Sequence, residues 1–257
     1  MKTQIITYLK TLEREKVIRI LYACETGSRA WGFPSRDSDY DVRLIYRHNL
    51  HWYLGLSDKK DSIDLMFADN EIDITGWDLK KSLLLLQKSN ASIFERLASD
   101  TIYLEDKAFS IKMKMMLAEY FSPIKQSYHY LNLARNSNSF LHAEKYKLKK
   151  LFYALRSTCC ALWIVENKTS PPMRIMEVLG GISIDQKYKN RIAELIKIKA
   201  EVTESYLHTG DWKLLQFIER SLSELEDKIK SLTTTKNDIK NLEAFFIETL
   251  KLLSWSA

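Results

Sequence analysis

A change of texture near residue 106 limits the folds open to this chain more than any other feature. Before it, short apolar and β-branched runs are separated by polar breaks. They are Val17 to Cys24 (VIRILYAC), Asp41 to Tyr46 (DVRLIY), Ser62 to Phe67 (SIDLMF), Glu71 to Thr75 (EIDIT) and Thr101 to Leu104. Such runs read as strands, with a turn at Ala68-Asp69-Asn70. Ile5, Ile6, Leu9 and Leu12 recur at helical spacing, so residues 3–15 read as a helix. Trp77 to Lys88 and Asn90 to Ala98 read as two more, with Asp78 in a first turn where a carboxylate suits the helix dipole. After residue 106 the alternation stops. Helical-period segments follow over roughly 107–121, 123–136, 142–166, 173–179, 187–208, 211–231 and 238–253. Ser170-Pro171-Pro172 breaks the chain between two of them, and Thr233 to Asp238 is a polar connection with Asp238 as an N-cap. Seven glycines and four prolines in 257 residues favour long helices over turn-rich β architecture. The expected fold is α+β: an α/β half over residues 1–105, then an all-helical half over 106–257.

Composition narrows the function classes. A formal net charge of +6 permits an anionic partner without requiring one. Three cysteines, two of them adjacent (Cys159 and Cys160) and none in a CxxC pair, suggest neither a disulfide framework nor a zinc site. They read as small buried hydrophobes in a reducing compartment. The N-terminus has no signal-peptide core. The longest apolar run, Cys159 to Val165, is too short to span a bilayer. The expectation is a cytoplasmic protein with no membrane partner.

The stretch "ETGSRAWGFPSRDSDYD", Glu25 to Asp41, looks built to hold a ligand. Asp37, Asp39 and Asp41 match positions 1, 3 and 5 of a calcium loop, but Val42 stands where its glycine is needed and His48 where its glutamate is needed. Gly27 and Gly32 have P-loop spacing, but Phe33-Pro34 follows in place of Lys-Ser/Thr. A third reading fits. Asp39 and Asp41 are two apart at the start of a strand, so both carboxylates point to one face. Magnesium suits such an all-oxygen site, and a two-metal phosphoryl-transfer site needs a further carboxylate from a neighbouring strand. Asp73 is the first choice for it and Asp64 the second. Gly27-Ser28, between a strand and a short helix, offers backbone N–H groups and a hydroxyl to an anion. Arg29 and Arg36 lie nearby. Arg43 shares the aspartate face and would contact a phosphate or pair with a carboxylate. The bland alternative is a solvated Asp-rich turn beside a common turn dipeptide.

Gly27-Ser28, a short helix, Ser38-Asp39-Tyr40-Asp41 and a third aspartate on a later strand resemble the DNA polymerase beta nucleotidyltransferase superfamily. More narrowly, "ETGSRAWGFPSRDSDYDVRLIY" followed by "DITGWDLKKSL", and then "KLKKLFYALRSTCCALWI" and "SPPM", is similar to nucleotidyltransferases of bacterial and phage RNA-repair gene clusters, over roughly residues 20–175. The resemblance implies a catalytic domain of that type followed by a helical substrate-binding domain. It implies transfer of a nucleoside monophosphate from an NTP such as ATP to an acceptor hydroxyl, with release of pyrophosphate. Asp39 and Asp41 would bind two Mg2+ (or Mn2+) ions. Asp73 would bind the catalytic one and help activate the acceptor, and Gly27 and Ser28 would hold the β- and γ-phosphates. One departure is Glu25-Thr26 before Gly-Ser, where the superfamily usually has an aromatic residue; Glu25 is either a further functional carboxylate or a structural one.

The helical domain carries Lys145, Lys147, Lys149, Lys150 and Arg156 with no acid among them. Lys149, Tyr153 and Arg156 fall on one helical stripe. They read either as a wall meeting the nucleotide or as a solvated basic face with Tyr153 at the core edge. His129 reads as a reach into the cleft or as a structural residue. Trp31 and Trp77 read as packing within the α/β domain. Leu214, Leu215, Phe217, Ile218, Leu222 and Leu225 form a stripe that suits internal core or a dimer contact. Three functions stay open: NMP transfer to RNA (a tRNA or an RNA end), transfer to a protein side chain, or an inactive nucleotide- or RNA-binding module. The NTP base, the acceptor, partner proteins and the oligomeric state are not encoded in any motif.

Overall fold

A computed structural model of the chain describes residues 1–68, 71–233 and 238–251. Parts of the turn expected at Ala68-Asp69-Asn70, of the Thr233–Asp238 connection and of the last helix lie outside those residues. The elements run α1 (Lys2–Lys16), β1 (Arg19–Thr26), α2 (Gly27–Trp31), β2 (Tyr40–Arg47), α3 (Leu50–Leu54), β3 (Ser62–Phe67) and β4 (Ile72–Asp78). They continue through α4 (Leu79–Gln87), α5 (Ala91–Ala98), β5 (Ile102–Glu105), α6 (Lys107–Tyr120), α7 (Pro123–Asn138), β6 (Lys145–Lys147) and α8 (Leu148–Asn167). The last are α9 (Ile175–Gly180), α10 (Gln186–Glu201), β7 (Leu207–Thr209), α11 (Trp212–Lys230) and α12 (Lys240–Lys251). The fold is α+β, with a five-stranded mixed sheet and, after it, helices joined by one short two-stranded ribbon.

Contacts divide the chain into two compact units. The first holds Met1–Gly27, Asp39–Tyr120 and the C-terminal segment that carries α12. The second holds Ser28–Ser38 and the elements from α7 to α11. The boundary expected near residue 105 falls inside the first unit, between β5 and α6.

The sheet of the first unit is ordered β3-β4-β2-β1-β5, and only the β2–β4 pair is parallel. Its alternation decides where the site lies. Ile5, Leu9 and Leu12 of α1 pack with Val42, Leu44 and Tyr46 of β2 and with Ile72 and Ile74 of β4. These even positions form one apolar face. The odd positions, Asp41, Arg43, Asp73 and Thr75, therefore look out from the other face. Trp77 continues that face, and the Arg96 guanidinium lies 3.3 Å from its ring centroid while donating to the Leu44 carbonyl at 2.9 Å.

Short helix α3, absent from the sequence-based reading, has a definite role. Its Tyr53 hydroxyl donates to Asp78 Oδ2 at 2.6 Å, while Asp78 Oδ1 caps α4 by accepting from the Lys80 N–H at 2.8 Å. Asp78 is buried, and burial raises its carboxyl above the ordinary range.

In the second unit, the segment read as one helix over 142–166 splits into β6 and α8. The segment read over 187–208 ends at Glu201, leaving a loop and then β7. Lys145 pairs with Thr209 and Lys147 with Leu207. That pairing competes successfully with helix propensity, because Tyr146 is buried between two exposed lysines in a period of two. The α11 stripe is core of its own unit: Leu214, Ile218, Leu222 and Leu225 are buried against α7 and α8. Trp31, expected in the α/β domain, packs instead in the second unit, edge-on to Tyr153 of α8 at 5.4 Å. The three thiols are free and buried, as their sequence context suggests.

Asp78→Ala is expected to cost about 2–3 kcal/mol of unfolding free energy, through the lost cap and the stranded Tyr53 hydroxyl. Asp78→Asn keeps an oxygen for Lys80 and should lose less; urea titration of the two variants measures the difference.

Candidate active site

Asp41 and Asp73 are brought side by side by strand register. In the parallel β2–β4 pair, Asp41 opposes Asp73 and Arg43 opposes Thr75. The Arg43 guanidinium lies across both carboxylates. Nη2 donates to Asp41 Oδ1 at 2.6 Å and to Asp73 Oδ2 at 2.8 Å, while Nη1 donates to the Asp73 carbonyl at 3.0 Å. Of the two readings of Arg43, the structure thus displays carboxylate pairing. All three side chains are largely covered: Asp41 is 18% exposed, Arg43 19% and Asp73 27%. Asp39 stands one residue before β2, on the side of Asp41 by alternation. Asp64 is on the neighbouring strand opposite Thr75, largely exposed and 4.0 Å from Lys60. It is displaced along the strand from Asp73, whose own β3 partner is Met66.

The backbone of Asp41 is held from β1. Its N–H donates to Glu25 Oε1 at 2.9 Å, and its carbonyl accepts from the Thr26 hydroxyl at 3.2 Å. Glu25 is buried, and its second oxygen accepts a short hydrogen bond from the Tyr103 hydroxyl. The Glu25-Thr26 departure therefore has a structural explanation: two polar side chains grip the peptide of a site aspartate.

Gly27 shows why glycine is needed there. Its φ is 65°, and a Cβ would come within 1.9 Å of Asp41 Oδ2. No side chain could occupy that position without moving the carboxylate.

The second unit carries the remaining candidates. Ser28 Oγ donates to Ser38 Oγ at 3.1 Å, and Ser38 Oγ donates to Glu204 Oε1 at 3.1 Å. Glu204 Oε2 pairs with Lys149 Nζ. Asp37, the first position of the calcium-loop match, accepts from the Glu204 N–H at 2.8 Å, and Arg36 is exposed with its N–H on the Val202 carbonyl. The Arg29 guanidinium caps the Ser38 carbonyl. Arg156 is buried, donates to the Met173 carbonyl and stacks 4.4 Å from the Trp31 ring centroid, beside Tyr153. His129 is half-buried against Tyr130.

Two residues of this network escaped sequence reasoning. Glu204 lies in the loop that was read as helix, so no pattern marked it. Lys199 did leave a signal, standing in the apolar stripe of α10 with Ile192 and Leu195. Its ammonium is buried and donates to Ser35 Oγ at 2.6 Å. Burial pushes it down to about 8.

Among the described residues, no three His, Cys, Asp or Glu side chains converge closely enough to hold a metal ion. The donor chemistry nonetheless fits a hard cation: two carboxylates share one face, the Arg43 guanidinium bridges them and offsets part of their charge, and glycine backbone lies against one of them. No helix among the described residues is long and apolar enough to cross a membrane.

Comparison with known proteins supplies the relatives. A family model for the RNA repair pathway DNA polymerase beta family matches residues 1–248. The chain is 37% identical over 240 residues to the uncharacterized protein YcgL of Bacillus subtilis (strain 168), covering 93% of this chain and 92% of that one. Among solved structures it is similar to a nucleotidyltransferase-like protein from Exiguobacterium sibiricum 255-15, at 13% identity and a TM-score of 0.34, over 98% of this chain and 81% of the other.

Two outcomes are expected from this geometry. Gly27→Ala costs at least about 1–2 kcal/mol for the left-handed backbone alone. Part of its full cost is relieved in the Gly27→Ala/Asp41→Ala double variant, and a double-mutant cycle in urea reads that coupling. For Lys199, the folded-state value near 8 lies below the unfolded 10.5, so folding penalises the charged form. That penalty is complete below about pH 8 and fades as pH rises toward 10.5. Wild-type stability should therefore rise relative to Lys199→Met by roughly 2–3 kcal/mol between pH 7 and pH 10, and denaturation at the two pH values tests the sign.

Proposed function

The chain belongs to the RNA repair pathway DNA polymerase beta family, a nucleotidyltransferase-like family, and from that premise we propose that it transfers a nucleoside monophosphate from an NTP to a hydroxyl on RNA, releasing pyrophosphate. The observation that carries the reading is the pairing of Asp41 with Asp73 across adjacent parallel strands, with Gly27 backbone against the Asp41 carboxylate.

In this proposal Asp39, Asp41 and Asp73 hold two divalent cations, Mg2+ or Mn2+. When bound, such ions supply Lewis-acid charge at the phosphoryl oxygens and lower the cost of ionising the acceptor hydroxyl. Asp73 also accepts the acceptor's hydroxyl proton. The acceptor oxygen then forms its bond to the α-phosphorus as the bond to the pyrophosphate oxygen breaks. Arg43 keeps the carboxylates together and offsets part of their charge before a harder cation takes it. Glu25 and Thr26 fix the height of Asp41 by holding its peptide. Gly27 lets a phosphate approach the backbone.

Within the second unit, Ser28 and Lys149 are the candidates for holding phosphate, and one network links them through Ser38 and Glu204. Arg29 shapes the Ser28–Ser38 turn by holding the Ser38 carbonyl. Tyr153 and Arg156 hold Trp31 and so set the course of the same segment. A net charge of +6 suits an RNA acceptor.

The test is incubation with each α-labelled NTP, Mg2+ or Mn2+, and either RNA or cell extract. Label in RNA is the expected result. Asp41→Asn and Asp73→Asn should each lower transfer by about three orders of magnitude or more, and chelation of the metal should abolish it. Label confined to protein would replace the acceptor by a side-chain hydroxyl. No transfer with any nucleotide, and no difference between wild type and the aspartate variants, would refute the enzymatic reading.

A further inference from the structure

The second unit has a cavity of about 280 Å3 beside the end of the β6–β7 ribbon. Two aromatic rings, Tyr188 and Trp212, line it together with three cations, Lys187, Arg191 and Lys213. Asp211 is the acid of this lining and is already neutralised. Arg191 donates to both its oxygens, at 2.6 and 3.0 Å, and His208 Nε2 lies 2.6 Å away. Burial works against the Asp211 carboxylate, but these donors bring it below the ordinary range.

The indole is unusual in its setting. Trp212 is 59% exposed, although it is the largest side chain type and lies at the very start of α11. Its position is fixed by its neighbour: Asp211 takes a left-handed φ of 58° and is clamped by Arg191 and His208. Lys213 Nζ lies 5.4 Å from the Trp212 ring centroid and Lys187 Nζ lies 5.1 Å from that of Tyr188. Each cation lies over its ring, and Tyr188 also packs against Phe217 with 5.2 Å between centroids, so the exposed indole of Trp212 is the ring with surface to offer. Lys145 and Lys147 add exposed charge from the ribbon strand that pairs with β7. Lys187 and Arg191 also meet Asp185 and Glu194 at the surface, contacts that exchange readily for a polyanion.

We propose that this cavity is a base-stacking subsite for single-stranded RNA. Trp212 takes a base face, Tyr188 lines the floor against Phe217, and Lys187, Lys213 and Lys145 take the adjoining phosphates. Single strands are specified because only unpaired bases offer both faces to a ring. A protein ligand would suit the exposed indole, but not a lining whose acid is neutralised and whose cations are several. The inference rests on the reading above that the acceptor is RNA.

The experiment is fluorescence anisotropy of a short labelled single-stranded RNA with the full-length protein, in chelator and without NTP. It is run on the wild type and on the Asp41→Asn/Asp73→Asn background. Trp212→Ala should weaken binding roughly fivefold to a hundredfold, Trp212→Phe should retain most of it, and Lys213→Ala should flatten the salt dependence by about one phosphate contact. Equal binding by Trp212→Ala and wild type overturns the proposal, as does displacement of the RNA by polyglutamate as effectively as by unlabelled RNA. Failure of the two readings is separable. Trp212-dependent binding without nucleotidyl transfer by the wild type keeps this subsite and removes the enzyme. Transfer to RNA with binding indifferent to Trp212 does the reverse.

Discussion

The repulsion between two carboxylates on adjacent strands is the constraint around which the first unit is arranged. Asp41 and Asp73 meet because β2 and β4 run parallel in register, and one guanidinium, Arg43, makes that meeting tolerable. The surrounding residues serve the same end. Glu25 and Thr26 hold the Asp41 peptide, and Tyr103 holds Glu25. Gly27 leaves room for the carboxylate. The apolar even positions bury the opposite face of the same strands against α1, so a slip of one residue would exchange core for site. Concentrated negative charge of this kind destabilises a fold unless a cation compensates it, and here the Arg43 guanidinium does so in part.

Much of this was legible in the amino-acid order, for a simple reason. Strand alternation is local, so "DYDVRL" and "EIDIT" were enough to place their aspartates on one face and their aliphatics on the other. The break at residue 106 marked the end of the five-stranded sheet, although the first unit runs on through α6. The partners of each residue were not legible, because pairing is a long-range fact. Arg43 had two readings until the register of β2 and β4 supplied both carboxylates. Glu25 was ambiguous until Asp41 was found bonded to it. Trp31 looked like a residue of the sheet domain because it closely follows a strand, yet its ring belongs with Tyr153 and Arg156.

The errors in the helical half share one cause. Residues 142–166 and 187–208 each contain enough apolar positions to sustain a helical period, and short strands β6 and β7 were absorbed into it. A three-residue strand carries too few side chains to announce a period of two, and it forms only because another strand over fifty residues away pairs with it. Glu204 was lost with them. Lys199 could have been found: a lysine on an apolar helical stripe must bury its charge or find an oxygen, and here it does both.

The burial of the cysteines has a use beyond packing. Cys24 lies on β1, its Sγ donating to the Arg43 carbonyl, and burial pushes its thiol up to about 12. Cys159 lies on α8 in the other unit, and burial raises its thiol too. Since thiolate is the reactive form, both are inert while their surroundings stay closed. Each unit thus contains a native chemical clock. The rate at which a thiol reagent consumes Cys24 reports the opening of the sheet beneath the carboxylate pair, and the rate for Cys159 reports the opening of the helical unit, with no label introduced into either.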